Sequence, residues 1–220
     1  MNTVEVDNMV SHIRCILDEN ETHTELSGIS GERQLSLEDV IQSHLVSGVD
    51  AVTLLAPFSM IECSHSTARA DEVLVVPTDM LKLGWVKANS WNIAISQVHD
   101  ISSPLYKMAK HGRVGSVCNA NNPLAFENVE NLPYVGVSRT IICFPPIDSE
   151  SQTQSSIMYA KKASITNGRM NVGSLLYEPS CLYIAGLVCD SMGWAKNRDY
   201  KADAMLMLGI QPQMQEQVNG

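Results

Sequence analysis

The sequence predicts an α+β protein in which N- and C-terminal helices form a small bundle, with a mostly antiparallel β region inserted between them. Apolar residues recur every three to four positions in 1–57 and again in 177–208, which is the period of an amphipathic helix. Between these segments, residues 58–176 contain short strand-like runs bounded by prolines. The 220 residues are 45% hydrophobic and 18% charged, so the chain can bury a substantial core.

The first 57 residues predict a helical hairpin, because two apolar stripes flank a polar loop. The helices are expected over 6–17 and 37–56, and the loop over 20–33. Ser36 is placed as the N-cap of the second helix, with Asp39 at its third position, where a carboxylate stabilises the helix dipole. Pro57 is expected to end this helix, because proline cannot continue the hydrogen-bond ladder.

Residues 58–176 predict the inserted β region. Strands are expected over 59–64, 72–76, 81–87, 91–98, 135–144 and 156–165, with a polar loop over 149–156. Asn167 and Gly168 form a pair that is typical of a tight hairpin turn. Ser103 and Pro104 predict the start of one short helix that runs to residue 110.

The C-terminal segment returns to a helical pattern. Helices are expected over 179–196 and 200–208, where they complete the bundle, and a flexible tail is expected over 209–220. Pro179 suits the first turn of a helix. Small residues such as Gly186 lie on the stripe of the longer helix and permit close approach of a neighbouring helix.

Negative charge is concentrated in the first quarter of the chain. Residues 1–60 hold ten acidic and two basic residues, a net charge of −8, and residues 61–220 carry only −1. An acidic chain is a poor candidate for gripping nucleic acid, because phosphate binding needs a basic surface. No apolar run approaches the ~18 residues that span a bilayer, and no secretory signal is expected at the N-terminus. The six scattered cysteines are expected to be reduced.

The common catalytic motifs do not occur in the sequence, and we expect neither enzyme activity nor a cofactor or metal. One alternative is a small enzyme that uses Cys63 and His65, since residues two apart on a strand point the same way. No neighbouring basic group is expected to lower the pKa of that thiol. His44 falls on an apolar helical stripe, which favours a hydrogen-bonded core or interface histidine over a metal ligand.

A basic segment between residues 82 and 113 is the first candidate interface. Its basic residues are Lys82, Lys87, Lys107, Lys110 and Arg113, opposed only by Asp100, which gives a net charge of +4. These charges either contact an acidic partner or DNA, or form a solvated edge, while Trp85 and Trp91 are expected in the core. Because the same chain carries an acidic segment, we expect the acidic helices of one copy to contact this basic segment on the next.

A second candidate interface is the apolar run of Met205, Leu206, Met207 and Leu208. With the Gln-rich residues that follow, it either gains order by docking on a neighbouring protein assembly or simply covers the helical bundle. Both interpretations remain open from the sequence.

Four stretches in this order resemble a known family. They are LSLEDVIQSHLVSGVDAVTLLAP, VLVVPTDMLKLGWVKANSW, DISSPLYKMAKHGRVGSVCNANNPLAF and LYEPSCLYIAGLVCDSMGWAKN. The chain is similar over about residues 3–208 to the head–tail connector (adaptor) proteins of short-tailed bacteriophages, especially crAss-like phages of gut Bacteroidales. The most specific part is VPTDMLKL, followed by a Trp-rich strand and SPLY.

The resemblance implies a structural protein without enzyme activity. Such adaptors form a ring, commonly a dodecamer, beneath the portal protein, carry the tail proteins, and let DNA pass through the channel without specific binding. They belong to the virion at the head–tail junction, have no membrane partner, and are made in the host bacterial cytoplasm. A different virion protein, such as a tail hub or a head-decoration protein, remains an alternative.

Overall fold

The computed structural model describes residues 2–18, 36–68, 73–111, 118–132, 136–147, 154–194 and 198–211. The α+β class is confirmed, since helices and mostly antiparallel strands both contribute. The helices are α1 (Val6–Asp18), α2 (Leu37–Leu55), α3 (Pro104–Lys110), α4 (Tyr177–Met192) and α5 (Tyr200–Met207). The strands are β1 (Thr3–Glu5), β2 (Ser64–Ala68), β3 (Val73–Val75), β4 (Met80–Lys87), β5 (His99–Asp100), β6 (Leu124–Leu132), β7 (Gly136–Phe144), β8 (Ser155–Lys161), β9 (Ile165–Thr166) and β10 (Arg169–Asn171).

The chain divides into two compact units. The helical unit comprises Met1–Glu62 and Ala163–Gly220, and the β unit comprises Cys63–Lys162. The sequence placed these divisions at 57/58 and 176/177. The difference arises because β9 and β10 pair with β1 at the N-terminus and therefore group with the helices.

The start and end of α2 follow the sequence prediction. The Ser36 hydroxyl accepts a hydrogen bond from the Asp39 backbone N–H at 3.1 Å, and the Asp39 carboxylate accepts one from the Ser36 N–H at 3.1 Å, forming a capping box. Ala56 leaves the helix in an extended conformation, as the residue before Pro57 must. The predicted loop over 20–33 lies outside the described residues.

One apolar core holds the helical unit together. Buried side chains of α1, α2, α4 and α5 share it, and α4 packs against the other three helices. At two of these contacts between helices, a glycine allows the neighbouring side chain to approach closely. A Cβ added to Gly48 of α2 would lie 2.3 Å from Cγ1 of Ile184, and one added to Gly186 of α4 would lie 2.7 Å from Cγ of Lys201.

Glycines also end the two C-terminal helices. Gly193 follows α4 with φ 66°, and Gly209 follows α5 with φ 73°, the left-handed conformation that closes a helix. The helix predicted over 179–196 therefore starts two residues earlier and stops at Met192, because Gly193 reverses the backbone. At the end of α5 the N–H of Ile210 donates to the carbonyl of Met205 at 2.9 Å, and Ile210 packs against the core.

The small sheet of the helical unit has the strand order β1-β10-β9. The predicted hairpin between β9 and β10 is confirmed, and its turn residues have positive φ, 52° at Asn167 and 71° at Gly168. Glu62 links the segment before β1 to the segment after β10. Its carboxylate accepts hydrogen bonds from the Asn2 N–H at 2.9 Å and the Ser174 N–H at 3.2 Å. These bonds lower the pKa of Glu62.

The β unit consists of two sheets around one apolar core. Their strand orders are β2-β8-β4 and β3-β7-β6-β5, and all pairs are antiparallel except β5 with β6. Trp91 is 3% exposed within this core, as predicted, and its indole N–H donates to the Pro145 carbonyl at 2.9 Å. Trp85 lies at the β4 position paired with Met158 and is half-buried, which corrects the expectation of a core residue.

Several predicted strands differ from those observed. The run 59–64 is not a strand before Ser64: it begins in a 3₁₀ turn, Phe58–Met60, and Met60 and Ile61 pack against the helical core. The run 91–98 forms only an isolated bridge between Val86 and Ile95. The run 156–165 splits, because the Asp50 carboxylate captures the Ala163 N–H at 2.6 Å between β8 and β9. The predicted loop over 149–156 lies outside the described residues up to 153.

Strand β6 was missed in the sequence, although it is one of the longest strands. Its sequence LAFENVENL carries two glutamates and two asparagines, residues that are depleted in strands. It forms because every residue from Leu124 to Leu132 pairs with β7.

Candidate interaction surfaces

The structure distributes the predicted basic segment over two elements. Lys82 and Lys87 are half-buried on β4, whereas Lys107 and Lys110 are exposed on α3. Arg113 lies outside the described residues. Lys107 and Lys110 are three positions apart, so they lie on neighbouring positions of one helix face. Of the five predicted residues, the structure therefore brings these two together on an exposed surface.

Local sequence determines where α3 begins. The Asp100 carboxylate accepts hydrogen bonds from the Ser102 hydroxyl and, at 2.7 Å, from the Ser102 N–H, and both lower the pKa of Asp100. Ser103 is the N-cap, and its hydroxyl accepts from the Leu105 N–H at 3.3 Å. Pro104 then occupies the first turn, where its missing N–H costs nothing. The short helix predicted at Ser103 and Pro104 is confirmed.

An aromatic cluster fixes α3 to the outer face of the β3-β7-β6-β5 sheet. The Tyr106 ring lies 5.3 Å from the Phe126 ring and 6.2 Å from the Phe144 ring, both edge-on. Phe126 is fully buried, and Lys110 places its ammonium group 6.0 Å from the Tyr106 ring. Edge-to-face pairs at these distances stabilise packing beyond simple burial. Tyr106 therefore determines which side chains of α3 face outward.

The outward face of α3 combines apolar and basic side chains. Leu105 is 38% exposed and Met108 is 45% exposed, and Lys107 and Lys110 are exposed beside them. Among the residues the structure describes, the Lys107 ammonium group has no ion-pair partner. Sequence reasoning missed Leu105 and Met108, although their three-residue spacing within a short helix was available as a signal.

A second exposed surface lies on the outer half of the β6–β7 ribbon. Val129 is 53% exposed and Val137 is 58% exposed, and the pairing register places them on the same face. This is also the face that carries Ala125 and Cys143 into the core of the β unit. On the same face Glu127 and Arg139 form an ion pair at 2.6 Å, and Arg139 is the cross-strand partner of Val129.

The apolar run at the end of α5 is divided between core and surface. Leu208 is 4% exposed within the helical core, and Met205 is half-buried. Leu206 and Met207 are 55% and 49% exposed. Leu208 thus covers the bundle, and only Leu206 and Met207 are available for docking.

The two units carry very different charge. The helical unit has 16 acidic and 6 basic residues, a net charge of −10, and the β unit has 8 acidic and 9 basic residues, a net charge of +1. Residues 163–220 contribute only −1 of that charge, so the acidity of the helical unit comes almost entirely from the first quarter noted in the sequence. Both kinds of surface needed for attraction between unlike faces are present on one chain.

The sequence matches no protein-family model and no curated protein. Within the part of the chain that the structure describes, none of the helices has the length and apolarity needed to cross a bilayer.

The structure describes the surroundings of Cys63, His65 and His44, the residues considered as catalytic or metal-binding candidates. Burial raises the pKa of Cys63, so its thiol is protonated at neutral pH. The His65 ring lies 5.7 Å from the Trp85 ring. His44 is half-buried, and its Nε2 lies 2.7 Å from the Ser191 hydroxyl, in agreement with a hydrogen-bonded interface histidine. Among the described residues, no three His, Cys, Asp or Glu side chains form a metal-binding group.

A polar cluster that the sequence did not suggest joins α1 to α4. His12 Nδ1 lies 3.3 Å from the Tyr177 hydroxyl, and His12 Nε2 lies 3.7 Å from a Glu178 oxygen. Tyr177 is in turn hydrogen-bonded to the buried Cys181. Burial raises the pKa of both Tyr177 and Cys181 to about 12. Because both groups stay protonated at neutral pH, the cluster supplies hydrogen bonds between helices and not a nucleophile.

Proposed function

We propose that this protein is a structural virion protein, a ring-forming head–tail connector that links the portal to the tail of a short-tailed phage. The observation that carries the proposal is the partition of charge between a helical unit of −10 and a β unit of +1. A contact between unlike surfaces of identical chains is heterologous, and it produces a ring when the rotation closes. The resemblance to adaptors of crAss-like phages implies that this ring lies beneath the portal.

The partners follow from this position. The ring contacts the portal protein on one side and tail proteins on the other, and DNA passes through its channel. A net charge of −9 supports passage without specific binding, because an acidic wall repels phosphate. The exposed Leu206 and Met207 near the C-terminus are available to a neighbouring ring.

The proposal is tested by locating the protein in the phage that encodes it. A particle carrying an epitope tag on this chain is labelled with gold-conjugated antibody and imaged. We expect label only at the vertex that joins head and tail, in multiple copies. Label spread over the whole capsid would instead identify a head-decoration protein, and label at the distal tail would identify a tail hub. Absence of label from intact particles that contain tagged portal protein would overturn the proposal.

A further inference from the structure

We propose that the outward face of α3 is the surface through which one copy of this chain binds the acidic helical unit of a second copy. This inference rests on the proposed ring for its biological context, but it concerns a contact that the purified chain makes by itself. The binding face consists of Leu105, Lys107, Met108 and Lys110.

The structure favours α3 over the other basic residues of the predicted segment. Lys82 and Lys87 are half-buried on strand β4 and are therefore less accessible to a partner than exposed lysines. Lys107 and Lys110 stand on a helix whose aromatic anchor, Tyr106, keeps the exposed face in one orientation. A surface that is already ordered loses less conformational freedom on binding.

The chemistry of this face fits a protein and not a nucleic acid. Two exposed apolar side chains, at 38% and 45% exposure, lie on the same short helix as the lysines, and burying apolar area stabilises a protein contact. Phosphate binding rewards positive charge alone, and here two lysines belong to a chain with a net charge of −9.

Charge complementarity identifies the second copy as the partner. The helical unit carries −10, so every copy that offers an α3 face also offers an acidic acceptor. The first turn of α2 alone presents exposed Glu38 and Asp39, and Val46, 37% exposed, lies two turns further along that helix. Acidic and apolar groups therefore occur together on the acceptor, as basic and apolar groups do on α3.

The test measures self-association of the full-length purified chain by sedimentation velocity over a range of concentrations, at about 0.05 M and about 1 M salt. The first variant, Lys107→Glu with Lys110→Glu, reverses the charge of the face. The second, Leu105→Ser with Met108→Ser, removes its apolar part and leaves the charge unchanged. The matched control, Lys82→Glu with Lys87→Glu, makes the same change in charge on β4. Melting temperatures establish that each variant is folded.

We expect the wild-type chain to associate at low salt and more weakly at high salt. The Lys107/Lys110 variant should associate about 10- to 100-fold more weakly at low salt, because two attractive charges become repulsive. The Leu105/Met108 variant should be weakened at both salt concentrations, and the Lys82/Lys87 control should lie within about threefold of wild type.

Three outcomes overturn the inference: a wild-type chain that stays monomeric at low salt, folded α3 variants that associate like wild type, or a control as defective as the α3 variant. A Lys107/Lys110 variant that associates normally but loses binding to a DNA duplex would assign the face to nucleic acid instead. The connector proposal can fail independently of this inference. If the purified chain self-associates through α3 but labelled particles show no label at the head–tail vertex, the connector proposal is refuted and the α3 contact is retained.

Discussion

At the scale of single residues, the helical unit depends on how closely α2 and α4 approach. Gly48 leaves no room for a side chain beside Ile184, and the next residue, Val49, is 3% exposed in the same core. On the same helix Val46 is 37% exposed. The two valines therefore differ in environment but not in chemistry, which makes them a matched pair for substitution.

Val49→Asp should lower the free energy of unfolding by about 3–5 kcal/mol, because it buries an unpaired charge in the shared helical core. Chemical denaturation of the full chain measures this. Val46→Asp is the control and should change stability by less than about 1 kcal/mol. Equal stability of the two variants would show that Val49 does not lie in a core shared by the N- and C-terminal helices.

Glu62 makes the stability of the helical unit sensitive to acid. Two backbone N–H groups, those of Asn2 and Ser174, lower its pKa in the folded protein, so the stabilisation is complete above the pKa of an unfolded glutamate, about 4.3. It is lost as the pH falls through the lower folded value. We expect Glu62→Gln to lower the melting temperature at pH 7 and to have a smaller effect near pH 3. A difference from wild type that is unchanged between pH 7 and pH 3 would contradict this role.

At the scale of secondary-structure elements, the sequence correctly predicted the features that are determined by residues adjacent in the chain. The capping box of α2, the start of α3 and the Asn-Gly turn all depend on neighbouring residues, and each was placed correctly. Strand β6 was not predicted, because its polar sequence lacks a strand pattern and the strand forms through pairing with β7. The spacing of Leu105 and Met108 indicated a shared helix face, but their exposure could not be predicted, because Tyr106 and distant Phe126 determine which side of α3 is covered.

Tyr106 should be the residue that holds α3 on its sheet. Tyr106→Ala removes both edge-on ring contacts and should lower the stability of the β unit by about 2–3 kcal/mol, since the side chain is half-buried. Tyr106→Phe keeps the ring and is expected to stay within about 1 kcal/mol of wild type. Hydrogen exchange of the α3 amides reports the effect locally. Unchanged protection in Tyr106→Ala would mean that other contacts fix the helix.

The end of α5 determines where the C-terminal tail can be cut. Gly209 and Ile210 close the helix and contact the core, so deleting 209–220 would remove part of the fold. Deleting 212–220 leaves these residues in place and should leave the melting temperature unchanged. If the tail docks on a neighbouring ring, this truncated chain should no longer incorporate into particles. Incorporation at the wild-type level would limit docking to Leu206 and Met207 or exclude it.

At the scale of the whole molecule, the negative charge belongs to the helical unit and comes almost entirely from the first quarter of the sequence. Residues 163–220 add five acidic and four basic residues to that unit, and the β unit is nearly neutral. The sequence already predicted that residues 177–208 join the N-terminal helices, and the structure adds residues 163–176 to the same unit. A head-to-tail ring requires two different complementary surfaces on each chain, and the acidic helical unit would supply one of them.

The most direct test of the account is electron microscopy of the purified chain mixed with the portal protein of the same phage. The account predicts class averages of a closed ring of this chain, of one defined stoichiometry, seated coaxially on the portal ring. The Lys107→Glu, Lys110→Glu variant should yield portal rings without this added layer. A wild-type chain that remains monomeric and unbound in the presence of assembled portal rings would contradict the account.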